Sequence, residues 1–259
     1  MKMPNEEVID ILGVKVNATN LGLACQKIAS WIERKEKNYV CVAPVSTIVD
    51  CQRDPVYRDI VNGSGMTTPD GMPLVWLGRL YGHAGMGRTY GPDLMKAFCD
   101  YSRQKGYRHF FYGGTEGTNQ GLTARLKEEF PHLQIAGSYA PAMLEVNQEE
   151  QADVLERINA ARPDVLWVGL GSPKQDYWMV RYRDQLAVPV MIGVGAAFDF
   201  LAGAKKQAPR WMQRSGLEWF YRLCCEPQRL WKRYLIGNSL FVFWLAKDFL
   251  MGKLKKHGA

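Results

Sequence analysis

Residues 163–185 read PDVLWVGLGSPKQDYWMVRYRDQ. The run Asp164–Gly169 is almost wholly apolar, which is typical of a buried strand. A glycine turn follows it and leads into Pro173–Gln185, and proline is well tolerated in the first turn of a helix. A buried strand joined by a short turn to a helix is the building unit of a parallel sheet.

The same strand–turn–helix pattern recurs along the chain. The other predicted strands are Asn38–Ala43, Gly65–Pro69, Arg108–Tyr112, Leu133–Gly137 and Val190–Val194. The other predicted helices are Thr19–Lys35, Ser46–Asp54, Met72–Tyr81, Asp93–Lys105, Thr115–Phe130 and Gln148–Arg162. Strands that alternate with helices predict an α/β fold, in which a parallel sheet carries helices on both faces.

The C-terminal fifth differs from the rest of the chain in charge. Residues 203–259 hold twelve Lys/Arg and three acids, a net charge of +9, whereas the whole chain carries +7, which leaves −2 for residues 1–202. Tryptophans such as Trp211, Trp219 and Trp231 are interleaved with these cations. Cations attract anionic headgroups, and Trp and Tyr settle at the membrane interface. We therefore predict a body, residues 1–203, and a basic helical appendage, residues 204–259, that docks on an anionic membrane surface.

The sequence predicts attachment to a membrane rather than insertion. The apolar tract Tyr234–Ala246 is interrupted by Gly237-Asn238-Ser239 and is shorter than the roughly 20 residues of a spanning helix. The N-terminus, MKMPNEEVID, lacks the apolar stretch of a signal peptide. The six cysteines form no C-x-x-C pair, so we expect reduced, buried thiols. These features predict a cytoplasmic protein that is peripheral on the inner membrane face.

Glycines follow three predicted strands, where ligands bind in parallel sheets. They are Gly113 and Gly114, then Gly171, then Gly195. Glycine lets backbone N–H groups approach a phosphate, although each turn alone is more often only tight-turn chemistry. Together they favour a nucleotide crevice. The absence of G-x-G-x-x-G and of G-x-x-x-x-G-K-[ST] argues against an ordinary NAD site and against a P-loop.

Five polar side chains at predicted strand ends or turns are candidates for chemistry. Asp70, between Pro69 and Gly71, is either a general base or the N-cap of the next helix. Arg88 suits a diphosphate but is also consistent with a solvated loop cation. Lys174 and Gln175 begin a helix and could reach phosphate or sugar hydroxyls, and Asp199 needs a partner if it is buried.

Several chemistries and functions fit the sequence poorly. It contains no D-x-D, no H-E-x-x-H, no G-x-S-x-G and no Cys/His cluster with metal spacing, so we expect no metal and no cofactor. A nucleic-acid-binding protein is the main alternative, since basic and aromatic residues also suit single strands. The body, at −2, offers no basic face to follow a strand, which argues against nucleic acid as a partner. A nicotinamide-dependent oxidoreductase and a non-enzymatic membrane scaffold are the remaining alternatives.

Ordered motifs over nearly the whole length carry a family resemblance. They include NGxxMxxPDGMP from Asn62, RxYGPDL from Arg88, FFYGG from Phe110, PDVLWVGLGSPKQ from Pro163, GVGAAFDF from Gly193, APRWM from Ala208, GLEWFYR from Gly216 and EPxR from Glu226. This series resembles the WecG/TagA/CpsF family of bacterial glycosyltransferases.

The resemblance implies a Rossmann-like body and an inverting, metal-independent transferase. Such enzymes move a sugar from a UDP-sugar to a polyprenyl-diphosphate-linked saccharide during surface polysaccharide synthesis. By this resemblance Asp70 matches the catalytic base, Arg88 a cleft arginine, Gln175 a substrate-facing glutamine and Asp199 an aspartate near the uracil. The glycines Gly113, Gly114, Gly171 and Gly195, with Lys174, complete the expected substrate-binding set.

The resemblance also gives the appendage a role in the site. Arg222 and Arg229 match arginines that the family's appendage delivers to the substrate, and Lys232 stands where a third is expected. The stretch Ala43-Pro44-Val45 lacks the Thr or Asn that many members direct at the sugar, so the sugar is left open. The sequence around Asp70 is more similar to that of exopolysaccharide members of the family than to that of teichoic-acid members. The sequence leaves the oligomeric state open, and a homo-oligomer is one of the alternatives.

Overall fold

A computed structural model describes residues 7–141 and 148–252 of the chain. Residues 1–6, at the start of the N-terminal stretch from which no signal peptide is predicted, lie outside the described residues. So do residues 142–147 and 253–259, which include Lys253, Lys255 and Lys256 of the basic tail.

In the described parts of the chain, eight strands form two sheets. They are β1 (Val8–Ile11), β2 (Val14–Asn17), β3 (Asn38–Ala43), β4 (Met66–Pro69), β5 (Arg108–Gly113), β6 (Gln134–Tyr139), β7 (Val165–Gly169) and β8 (Val190–Gly193). Strands β1 and β2 pair antiparallel, and the other six form a sheet in the order β4-β3-β8-β7-β5-β6. The pairings from β3 through β8, β7 and β5 to β6 are all parallel. The α/β prediction is confirmed.

Helices connect the strands. They are α1 (Leu21–Arg34), α2 (Val45–Arg53), α3 (Pro55–Asn62), α4 (Met72–Leu80), α5 (Gly91–Arg103), α6 (Glu116–Glu129), α7 (Gln148–Ala161), α8 (Lys174–Tyr182) and α9 (Ala197–Leu201). The C-terminal part holds α10 (Arg210–Arg214), α11 (Glu218–Cys225), α12 (Pro227–Trp231), a π-helical turn (Lys232–Ile236) and α13 (Gly237–Leu250). The seven helices predicted in the body are present, each shifted by at most three residues at an end.

The core lies around β7. Val165, Leu166, Trp167 and Val168 are wholly buried, as expected for a parallel strand that is covered on both faces. His109 belongs to this core, where the Trp167 indole donates a hydrogen bond to its Nδ1 at 2.9 Å. Burial lowers the pKa of His109 to about 3, so the ring is neutral and serves packing.

The chain divides into two compact units, each of which gathers distant segments. The first unit comprises Met1–Asn20, Ala43–Tyr90 and Gln207–Ala259, and the second comprises Leu21–Val42 and Gly91–Lys206. The proposed division of the chain after residue 203 into body and appendage stays a prediction.

The β1–β2 hairpin has no counterpart among the predicted strands. Its turn places Leu12 at φ 54° and Gly13 at φ 78°, and the Asp10 carboxylate accepts the N–H of Gly13 at 2.7 Å. A two-residue turn of this kind favours Asn-Gly, because leucine rarely adopts positive φ. The Leu-Gly pair therefore gave only a weak turn signal.

The C-terminal helices differ from the expectation in one respect. Gly237-Asn238-Ser239 does not interrupt the apolar tract, because α13 begins at Gly237 and Ile236 before it is also helical. Among the residues that the structure describes, no helix combines the length and the apolar composition that a bilayer span requires. Four cysteines (Cys25, Cys41, Cys51 and Cys99) are buried thiols as expected, whereas Cys224 and Cys225 on α11 are exposed.

Candidate active site

Asp70 lies one residue beyond the end of β4, in the first unit. Its backbone N–H donates to the carbonyl of Ala43 at 3.1 Å, which fixes the start of the turn. Gly71, not Asp70, occupies the N-cap position of α4, and no side chain caps that helix. The N-cap interpretation is therefore wrong, and the carboxylate contacts Arg88 instead.

Arg88 is held on three sides by groups of the first unit. Its Nη2 lies 3.2 Å from Oδ1 of Asp70 and 2.5 Å from Oε2 of Glu218, and its Nε donates to the backbone carbonyl of Asp70. The guanidinium carbon lies 4.1 Å from the ring centre of Tyr90, a cation–π contact. The side chain is only 15% exposed, so the interpretation as a solvated loop cation is wrong.

The surroundings of Asp70 change its acidity. Burial raises the pKa of the Asp70 carboxyl, and the charge of Glu218 adds to that rise, while Arg88 and Arg222 lower it. The net direction is upward, because the loss of hydration disfavours the ionised form more than the two arginines favour it. A carboxylate with a raised pKa holds a proton more firmly once it has accepted one, which suits a general base.

The C-terminal helices contribute two arginines to this region. Arg222 on α11 interacts electrostatically with Tyr234, Tyr90, Glu218 and Asp70. Arg233, in the π-helical turn, donates from Nε and Nη2 to the Ser46 hydroxyl at 2.9 and 2.6 Å.

The other two cations that were expected at the site lie elsewhere in the first unit. Arg229 is exposed and pairs with Glu226 at 2.6 Å. Lys232 lies over the Trp231 ring, 5.5 Å from its centre. Neither side chain lines the cavity that Arg222 and Arg233 reach.

These groups open into a cavity of about 550 Å³ within the first unit. Its polar lining consists of Ser46, Asp70, Arg88, Gln213, Glu218, Arg222, Arg233, Tyr234 and Asn238. Its apolar lining includes Pro44, Val45, Met72, Pro73, Trp76, Leu77, Leu80, Trp219, Phe241, Val242 and Leu245. The volume falls in the range of small-molecule sites, and the lining suits a ligand with one charged and one apolar part.

The second unit carries the glycine turns. Gly113 ends β5 with a φ of 126° and Gly114 follows it with a φ of 67°. Gly171 and Gly195 follow β7 and β8 with φ of 81° and 54°. A Cβ on Gly113 would lie 2.6 Å from the carbonyl of Gly169, so only glycine fits there. Thr115 then caps α6 by accepting the N–H of Thr118.

Gln175 ties two of these turns together. Its Oε1 accepts the N–H of Gly171 at 3.2 Å and the N–H of Gly195 at 2.8 Å, and its Nε2 donates to the Ser172 hydroxyl at 3.0 Å. The side chain is 1% exposed, so it acts as a brace between the turns.

The other two candidates of the second unit lie at its surface. Lys174, beside Gln175, is exposed. The carboxylate of Asp199 is 28% exposed and pairs with Lys205 at 3.0 Å.

Sequence reasoning missed several groups of the first unit that the structure brings together. They are Ser46, Glu218, Arg233 and Tyr234. Glu218 had a signal, since it is one of only three acids in the basic C-terminal fifth and stands in the GLEW motif. Within the described ranges, no three His, Cys, Asp or Glu side chains are placed to hold a metal ion.

Comparison with curated proteins finds relatives over most of the chain. A Bacillus subtilis (strain 168) N-acetylglucosaminyldiphosphoundecaprenol N-acetyl-beta-D-mannosaminyltransferase is 33% identical, over 83% of this chain and 85% of its own. A Bacillus spizizenii protein of the same name is 31% identical, over 80% of this chain and 78% of its own. A Staphylococcus aureus (strain MRSA252) protein of that name is 26% identical, over 94% of both chains.

The model of a single family covers residues 9–255, nearly the whole chain. Its description, "Glycosyl transferase WecG/TagA/CpsF family", agrees with the resemblance that the sequence motifs carried. The expectation of a glycosyltransferase is thereby confirmed, and this chain belongs to the WecG/TagA/CpsF family of glycosyltransferases.

Proposed function

We propose that this glycosyltransferase moves a sugar from a UDP-sugar, with inversion, to a saccharide linked to a polyprenyl diphosphate. One observation carries the proposal. The carboxylate of Asp70, which is only 19% exposed, shares Arg88 with Glu218 in a cavity that also holds Arg222 and a long apolar wall. A base, cations and an apolar surface are the groups that a lipid-linked diphosphate acceptor requires.

The relatives support this acceptor class. Their names specify transfer of an N-acetyl-beta-D-mannosaminyl group to N-acetylglucosaminyldiphosphoundecaprenol. We assign the same type of acceptor to this chain, in the synthesis of a bacterial surface polysaccharide such as an exopolysaccharide. Pro44 and Val45 line the cavity here, and neither side chain can hydrogen-bond, so the sugar is to be identified with a donor panel.

The proposed chemistry is a single displacement. The Asp70 carboxylate takes the proton of an acceptor hydroxyl, and that oxygen forms a bond to the anomeric carbon of the donor. The bond from this carbon to the diphosphate oxygen breaks, and UDP leaves with the electron pair. Arg88 and Arg222 stabilise the charge that develops on the diphosphate, an effect that is catalytic only where it is stronger in the transition state.

The donor is assigned to the second unit. The glycine turns at Gly113, Gly114, Gly171 and Gly195 present backbone amides to the diphosphate, and Gln175 keeps two of them in place. Lys174 is exposed beside them and is assigned to the phosphates or the sugar. Asp199 is assigned to the base of the nucleotide. The role of Arg229 in acceptor binding remains an expectation from the family resemblance.

Membrane attachment is assigned to the C-terminal helices. Exposed apolar side chains lie there among the cations: Trp211, Phe220, Trp231, Leu235, Phe249 and Leu250. Such a surface binds at the level of the headgroups, because apolar burial and attraction to anionic lipid add together. Sedimentation with phosphatidylglycerol vesicles should capture the protein, and vesicles of phosphatidylcholine alone should capture much less.

The first experiment is a thermal-shift titration with UDP, ADP, GDP and NAD. A ligand that binds only the folded state raises stability by RT ln(1 + [L]/Kd), so we expect a shift with UDP that exceeds the others. A panel of UDP-sugars with a lipid-linked N-acetylglucosamine acceptor then identifies the donor, and EDTA should leave turnover unchanged. Stabilisation by NAD alone, or turnover that requires added metal, would contradict the proposal.

A further inference from the structure

The apolar part of the cavity follows one face of α4. The cavity-lining residues of this helix are Met72, Pro73, Trp76, Leu77 and Leu80. Their spacing of three and four residues places them in one stripe along the helix. The opposite face carries Leu74 and Val75, which are wholly buried and supply the core contacts. The stripe is therefore apolar surface that the fold does not use for its own core.

A second stripe lies on α13. Its apolar cavity-lining residues are Phe241, Val242 and Leu245, again spaced by three or four residues, and the polar Asn238 lies one turn before them. Two helices thus present apolar stripes to the same cavity. A channel between two apolar helix faces suits a flexible hydrocarbon chain better than a sugar, whose hydroxyls would find few partners there.

The direction of α4 separates the two ends of this channel. The helix begins two residues after Asp70, and the rise from Met72 to Leu80 amounts to about 12 Å at 1.5 Å per residue. The end near Asp70 holds the cations, while the far end is open, since Leu80 and Val242 are 71% and 63% exposed. The channel therefore runs from a charged inner end to an apolar mouth.

The inner end is complementary to a diphosphate. Arg88, Arg222 and Arg233 line it, against the carboxylates of Asp70 and Glu218, so that cations exceed anions by one. Arg88 is engaged by both carboxylates, whereas Arg233 donates its hydrogen bonds to the neutral hydroxyl of Ser46. Arg233 also attracts the carboxylate of Asp50 electrostatically, without a hydrogen bond to it. An anion can therefore bind Arg233 without breaking a hydrogen bond to a carboxylate.

We propose that the stripes of α4 and α13 form an isoprenoid channel, which holds the first isoprene units of the acceptor while Arg233 binds its diphosphate. This inference rests on the proposed function, since it names where the lipid of that acceptor lies. The channel binds the apolar chain of the acceptor directly. This contact is separate from any attraction of the C-terminal helices to a membrane. Acceptors with longer isoprenoid chains are bound more tightly until the channel is full.

The test uses the full-length protein in detergent, without vesicles, and a series of N-acetylglucosamine-diphosphate acceptors with dimethylallyl, geranyl, farnesyl and undecaprenyl chains. For the wild-type protein, kcat/KM rises from dimethylallyl to farnesyl and changes little beyond. Val242→Asn should lower kcat/KM for the farnesyl acceptor about fivefold to tenfold, because polar substitution removes apolar contact, and should leave the dimethylallyl acceptor nearly unchanged.

Phe243→Asn is the matched control. Phe243 is 62% exposed, follows Val242 on the same helix and does not line the cavity, so its substitution should leave the whole series unchanged. Leu80→Asn and Val56→Asn form a second pair on other helices, 71% and 62% exposed, of which only Leu80 lines the cavity. All four positions are at the surface, where substitutions rarely unfold a protein.

A binding measurement distinguishes failure of the channel from failure of the proposed function. Calorimetric titration with farnesyl diphosphate and with inorganic diphosphate requires no turnover. Binding of farnesyl diphosphate that Val242→Asn weakens and Phe243→Asn does not, without turnover of any acceptor, would support the channel and refute the proposed function. Turnover that does not depend on chain length, or equal losses of kcat/KM in Val242→Asn and Phe243→Asn, would overturn the channel and leave the proposed function intact.

Discussion

Different physical interactions determine the cavity of the first unit and the glycine turns of the second. In the cavity, charges decide the arrangement: two carboxylates share Arg88, and Arg222 and Arg233 lie beside them. In the turns, backbone geometry decides it, through positive φ angles, a close approach to Gly169 and the neutral brace of Gln175. We therefore expect substitutions in the cavity to alter chemistry and pH dependence, and substitutions in the turns to alter stability.

The largest effect is expected for Asp70→Asn. Loss of the proposed base should lower kcat by about 10³-fold, within the range for general bases. Thermal stability near neutral pH should not fall, because burial raises the pKa of Asp70 and the folded state therefore prefers the uncharged form. Initial rates and a melting curve on the same preparation measure both.

Asp59→Asn is the control for this substitution. Asp59 is an exposed carboxylate on α3 in the same unit, so its change should affect neither the rate nor the melting temperature. Retention of more than a tenth of the wild-type kcat by Asp70→Asn would remove Asp70 from the role of base.

Gly113→Ala tests the other side of the comparison. The new Cβ would lie 2.6 Å from the Gly169 carbonyl, at a φ of 126° that alanine disfavours, so we expect a loss of about 3 kcal/mol in the free energy of unfolding. Gly117→Ala in α6 is the control. A Cβ there has no neighbour within 4 Å, and alanine is the better helix former. Equal denaturation midpoints for the two variants would show that close backbone approach does not limit this turn.

The two arginines that the family resemblance placed at the site should behave differently. Arg222→Ala removes a cation of the cavity, and we expect kcat/KM to fall about 100-fold, as for the loss of one preorganised donor. Arg229→Ala removes an exposed ion pair, worth about 0–1 kcal/mol, and should change kcat/KM less than about threefold. Losses of similar size would mean that Arg229 reaches the substrate in the working enzyme.

The smallest effect is expected for Glu218→Gln, as a shift in the pH dependence of kcat/KM. Glu218 raises the pKa of Asp70, so loss of its charge should lower that pKa. A base works only when ionised, and activity falls as the pH drops through its pKa, so the acidic limb of the kcat/KM profile should move to lower pH. Glu226→Gln, which changes the surface pair with Arg229, should leave the limb in place. A limb that moves upward in Glu218→Gln would contradict the electrostatic coupling.

The sequence predicted the sheet closely because its signals are local. Apolar runs such as Val165–Val168 and the glycines after them mark strand ends within one or two residues. The pairing of Arg88 with Glu218 spans 130 residues, and no local pattern encodes which distant acid a partly buried arginine will meet. Glu218 was therefore absent from the predicted site.

The choice between Arg229 and Arg233 shows a second limit. The family resemblance named Arg229 and Lys232, which are exposed in α12 and at the first residue of the π-helical turn Lys232–Ile236. Arg233, the next residue of this turn, reaches Ser46 instead. The sequence of this turn, KRYLI, has no pattern of composition that would predict a π-helical turn.

The adjacent exposed thiols of Cys224 and Cys225 give the enzyme a natural reporter. They lie on α11, the helix that carries Glu218 and Arg222, whereas the other four cysteines are buried. A maleimide dye added to the native protein will therefore mark this helix first, without any engineered position. The labelling rate with and without lipid or nucleotide then follows the covering of α11 directly, in a protein of unaltered sequence.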